Sequence, residues 1–85
     1  MEHSISDIDA MVREEKRLTA VESHNEAWAE GLSAGIEPEI IAEAALETAF
    51  HEMLRTHGET AALALLDHMR EKVVGGAFDP HRLRH

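Results

Sequence analysis

The sequence predicts an all-α protein: a long N-terminal helix, then a C-terminal helical hairpin, three helices in all, completed by oligomerisation. Three observations carry that expectation. Apolar residues recur at the three- and four-residue spacing of a helix face, and no alternating run of β-branched residues suggests a strand. Glycines at 35, 58 and 75–76 stand where those helical periods end. The apolar faces of the last two helices are wider than a single neighbouring helix can cover.

The first helix is expected to begin near Ser6, whose hydroxyl can cap the free N–H groups of the first turn. Asp9 follows at capping-box distance, and Asp7 and Asp9 both suit the positive end of the helix dipole. Ser4 is a competing cap. The helix should run to Ser33 or Ala34, with Gly35 as a left-handed terminator and Ile36 folding back onto Leu32. Gly31 lies inside it at a cost of up to ~1 kcal/mol relative to alanine, which marks the last turn as the part to fray or bend. Its apolar stripe is narrow: Met11, Leu18, Val21, Trp28 and Leu32, with Glu14 and Asn25 set within it. Met11, Leu18, Asn25 and Leu32 fall seven residues apart, and Val21 and Trp28 occupy the other seam position of a heptad pattern. An asparagine in a seam can fix register and oligomer state at some cost in stability. The flanks differ in sign, Glu15 and Glu22 on one side and Arg17 and His24 on the other. In a parallel pair Arg17 meets Glu22 of the second chain, a surface contact worth about 0–1 kcal/mol. The same stripe can instead pack across the hairpin as an ordinary third helix.

The second helix is expected over residues 38–57, with Pro38 at its first position, where the missing N–H does no harm, and Glu37 and Glu39 at the same dipole end. Ala42, Leu46, Ala49, Phe50, Met53 and Leu54 cover close to half of its circumference, at about 100° per residue. Gly58 closes it, Glu59-Thr60 opens the third helix over 60–74, and Gly75-Gly76 stops that one. Ala62, Leu63, Leu65, Leu66, Met69, Val73 and Val74 cover half of the third helix or slightly more. A surface helix needs an apolar stripe of only roughly 100°, so each of these helices asks for contacts on two sides. Arg70 projects among Leu63, Leu66 and Val74, its stem laid along the apolar surface. A single domain over 1–77 follows, with 78–85 as a flexible basic tail from which Phe78 can fold back as an anchor.

An 85-residue chain buries only about 60–65% of its unfolded surface, so its stability margin is thin. Cysteine is absent, which removes disulfides and thiolate zinc sites and leaves oligomerisation as the common remaining support for a small fold. The N-terminal Met-Glu-His-Ser-Ile lacks the order of a signal peptide and no stretch has the length of a membrane span, so the expected location is cytoplasmic. A net charge of −9 argues against direct nucleic-acid binding and against an anionic membrane surface. It allows a basic protein as partner, although acidity also serves plain solubility.

Candidate chemistry is sparse. Glu43, Glu47, His51 and Arg55 are spaced by four and line one face of the second helix opposite its apolar arc. Carboxylate and imidazole on successive turns can bind a divalent metal, so Glu43, Glu47 and His51 are the candidate ligands, shared between subunits. The ordinary alternative is a solvated face with helix-supporting pairs, and the Glu-x-x-His spacing of helical di-iron sites is missing. His51-Glu52 begins like a zincin motif, but Arg55 stands where the second ligand belongs. His68 and Glu71 read as surface. The serines sit at caps or on helix faces with no glycine-framed elbow, and no phosphate-cradling loop precedes a helix. No enzymatic activity and no cofactor are expected. The seven histidines would carry the charge from −9 to −2 if all were protonated, and His57, at the edge of an apolar arc, is the one best placed for a pH response.

These readings converge on a small non-enzymatic interaction or regulatory module that self-associates. Its expected oligomer or partner interface is Trp28, Ile40, Ile41, Phe50, Met53, Leu66, Met69 and Val73, because tryptophan and broad apolar faces concentrate binding energy. Two alternatives stand beside it: a metal-binding oligomer using the second-helix Glu/His face, and an acidic inhibitor that occupies the basic, nucleic-acid-binding surface of a target.

Overall fold

The computed structural model describes residues 5–82 of the chain. They form α1 (Ile5–Ser33), α2 (Pro38–His57), α3 (Glu59–Val74) and a short 3-10 turn at Pro80–Arg82, with no strand among the described residues. The all-α, three-helix expectation holds. The chain divides into two compact units, Met1–Ala42 and Glu43–His85, and the boundary falls within α2.

In the first unit α1 begins at Ile5, so Ser6 lies in its first turn and does not cap it. Ser4, the competing cap, lies outside the described residues. The C-terminus closes as the glycine pattern requires. Gly35 has φ 84°, its N–H donates to the carbonyl of Leu32 at 3.0 Å, and the Ile36 N–H donates to that of Gly31 at 3.0 Å. This pair of bonds satisfies carbonyls that the end of a helix otherwise leaves open. The Glu37 carbonyl then accepts from Ile40 and Ile41 at 3.0 and 3.1 Å, which starts α2 around Pro38.

Gly31 corrects the expectation of a frayed last turn. The helix runs through it to Ser33, and a Cβ placed on Gly31 would stand 2.8 Å from Cδ1 and 3.2 Å from Cγ1 of Ile41. The missing side chain makes room for α2, and Ile41 and Ala42 are half-buried as a result. The contact offsets a propensity penalty of up to ~1 kcal/mol.

In the second unit a single residue joins α2 to α3. Gly58 has φ 91° and ψ 176°, a region open almost only to glycine. Its N–H donates to the Met53 carbonyl at 3.1 Å and its carbonyl accepts from Ala62 at 3.1 Å, so it ends one helix and opens the next without a side-chain cap. α3 therefore starts at Glu59, one residue ahead of the expected start. Ala62 is the one buried residue among those described, and Phe50, Met53, Ala61, Leu65 and Met69 are half-buried. At the far end Gly75 stays in the right-handed region and Gly76, at φ 84°, is the terminator. The Ala77 N–H reaches the Lys72 carbonyl at 2.9 Å and the Gly76 N–H that of Val73 at 3.1 Å. Beyond it Phe78 folds back only as far as Lys72, whose Nζ lies 5.6 Å from the ring centroid, and the ring stays exposed. The Asp79 carboxylate accepts from the His81 N–H at 2.8 Å, which sets up the 3-10 turn in a segment expected to lack helical order.

Candidate functional site

The surface most capable of function is apolar, and it is built from residues that a monomer of this size would ordinarily hide. Among the described residues seventeen large hydrophobic side chains are exposed and Ala62 alone is buried. Within the second unit, Phe50 and Leu54 of α2 and Glu59, Ala62, Leu63 and Leu66 of α3 line an open groove of about 220 Å³. Phe50 and Leu54 are four apart, as are Ala62 and Leu66, so each pair shares a helix face; Gly58 turns the chain between the two helices. Leu63 is 52% and Leu66 49% exposed. One carboxylate, Glu59, marks the groove's edge. The arrangement suits an apolar side chain entering from outside.

The expected interface residues divide by how far they are already engaged. Ile41, Phe50, Met53 and Met69 are half-buried, whereas Trp28, Ile40, Leu66 and Val73 are exposed, Trp28 least at 38% and Val73 most at 64%. Phe50 and Leu66 come together in the groove. Ile41 is engaged with Gly31 of α1 in the first unit, the ordinary packing open to it beside a role at an interface. Leu54 and Leu63, read only as parts of the apolar arcs, line the groove directly. Also missed were Ile5, Ile8 and Val12, exposed on α1 away from the heptad stripe; their spacing of three and four was the available signal.

The polar candidates stay apart from this surface in kind. Glu43, Glu47 and His51 are exposed along α2, and no group of three or more His, Asp or Glu among the described residues is placed to hold a metal ion. Glu47 and His51 share a shallow depression with Phe50 and Leu54. Arg55 turns to Glu52, its Nε donating at 3.1 Å, and so is drawn away from the ladder of four-residue spacings. His57 Nδ1 lies 2.7 Å from the Thr56 hydroxyl on an exposed part of the helix end. Arg70 is exposed.

On α1, Arg17 grips Glu14 with two hydrogen bonds, Nε to Oε1 at 3.0 Å and Nη2 to Oε2 at 2.8 Å. The hydrogen bonding to Arg17 and its positive charge hold the Glu14 carboxyl below the usual carboxylate range, and the same pairing raises the Arg17 guanidinium. A charge in the middle of an apolar stripe is thereby neutralised within its own helix.

No helix among the described residues is long and apolar enough to cross a membrane. Compared with protein-family models, with curated proteins and with solved structures, the chain has no match.

Proposed function

We propose that this protein is a small non-enzymatic interaction module that works as a self-associated assembly, with the hairpin faces of α2 and α3 as its principal interface and a cytoplasmic setting. One observation carries the reading. Within the second unit the apolar faces of α2 and α3 stay open: Leu46 is 58%, Leu54 52%, Leu63 52% and Leu66 49% exposed. Obligate interfaces resemble a domain core cut in half, and the exposed Leu46, Leu54, Leu63 and Leu66 have that character.

A native mass spectrum, taken before and after chelator, tests this. A metal-free dimer or higher even oligomer is the expected result. A monomer would refute self-association and leave the groove to another protein. Metal held in stoichiometric amount and lost to chelator would favour the competing assembly built on Glu43, Glu47 and His51 of several copies; alanine at positions 47 and 51 should then abolish it. The inhibitor reading rests on the −9 charge alone and requires target binding that weakens steeply with salt.

A further inference from the structure

We propose that residues 18–32 of α1 pair with the same segment of a second copy, parallel and in register, so that α1 sets the orientation of the assembly. The inference rests on the self-association reading and adds to it a second contact region and a direction. Leu18, Val21, Trp28 and Leu32 occupy four of the five seam positions of a heptad pattern between residues 18 and 32, and all are exposed. A helix whose stripe repeats every seven residues is matched best by a helix with the same repeat, because both seams then stay in contact as the pair supercoils. Another copy of this chain has that repeat.

Asn25 decides the direction. It lies in the same seam, seven residues from Leu18 and from Leu32, and is exposed. Against an apolar partner its amide would be buried without a hydrogen bond, at a cost that disfavours that pairing. A parallel, in-register partner places a second Asn25 across the axis, where the two amides satisfy each other. The flanks agree in sign: Glu15 and Glu22 line one side of the seam and Arg17 and His24 the other, so a parallel pair sets flanks of opposite sign together. Antiparallel pairing would set like flanks together. Glu14, the seam position before Leu18, arrives with its charge already met by Arg17 of its own helix. An apolar seam of only two heptads is too short to hold two chains alone. It therefore acts as an orienting contact within an assembly that the hairpin stabilises.

The chain has no cysteine, so single substitutions give clean labelling sites. Lys16→Cys, Ser23→Cys and Glu30→Cys are all exposed, seven residues apart on the side away from the seam. Each would carry a nitroxide, and the distance between identical labels would be measured by double electron–electron resonance. Parallel in-register pairing gives the same short distance at all three sites. Antiparallel pairing centred on Asn25 would spread the axial offsets over roughly 20 Å, at 1.5 Å per residue, and would overturn the proposal. Oligomers with no measurable pair distance would overturn it too, while leaving self-association standing; a monomer would overturn both. Asn25→Leu supplies an independent reading. It should tighten association at least tenfold while the three distances cease to agree, and an Asn25→Leu variant unchanged in both respects would show that Asn25 is ordinary surface.

Discussion

The α2–α3 hairpin and α1 are both helical and both apolar on one side, yet they have progressed differently towards a core. The hairpin closes part of its faces on itself: Ala62 is buried, Phe50, Met53, Leu65 and Met69 are half-buried, and Gly58 turns the chain between the helices in one residue. Along α1 no residue is buried, and the half-buried contact of its unit is the seat that Gly31 gives Ile41. Face width explains the contrast. A half-circumference apolar face can serve two neighbours and fills one of those roles within its own hairpin; a narrow stripe serves one neighbour or none. In the self-associated assembly proposed above, the hairpin would therefore carry the stability and α1 the geometry.

The largest effect should come from charging the hairpin face. Phe50→Asp and Leu66→Asp each put a carboxylate where an apolar partner belongs, and should abolish both the oligomer and the cooperative fold, read by light scattering and circular dichroism. A monomeric, well-folded Phe50→Asp variant would show that the core lies elsewhere. Gly58→Ala comes next. At φ 91° and ψ 176° any side chain is strained, so the loss should be about 1–3 kcal/mol in urea unfolding; an unchanged midpoint would mean that the joint relaxes freely.

Gly31 sharpens the α1 side of the contrast. Gly31→Ala should fail to return the ~1 kcal/mol that alanine normally brings to a helix interior, because its Cβ meets Ile41. In an Ile41→Ala background the same substitution should recover it, so a double-mutant cycle should show coupling of about 1 kcal/mol. Additive values would remove the close approach from the explanation. The smallest effect belongs to the exposed Glu14–Arg17 pair. Because the folded-state pKa of Glu14 is lowered, its contribution is present above the unfolded value and is lost as pH falls through the folded one. Arg17→Ala should move the Glu14 carbon-13 titration back up to the ordinary glutamate range. A titration that stays put would assign the lowering to another group.

The fold was legible where one residue decides it. Pro38 opens α2, Gly35 terminates α1 with a positive φ, and Gly58 and Gly76 do the same work further on. The start of α1 was less legible because Ser4 and Ser6 are both competent caps, and local chemistry does not rank them. Gly31 was misread for a different reason. Its propensity penalty is a property of the helix alone, while the compensating approach of Ile41 lies ten residues away and exists only in three dimensions. The apolar arcs named the groove residues in advance, but no periodicity says which of two half-covered faces is used first. That depends on the conformation of the one-residue joint at Gly58, which the sequence places between the two helices without fixing its φ and ψ.

The central claim, that this chain needs another copy to complete its core, is tested most directly by thermal unfolding over a hundredfold range of chain concentration, with Trp28, the single tryptophan, as fluorescent reporter. Coupled folding and association predict a midpoint that rises with concentration, and Trp28 emission that shifts to the red as the chains separate. A midpoint independent of concentration, with a monomeric mass throughout, would contradict it.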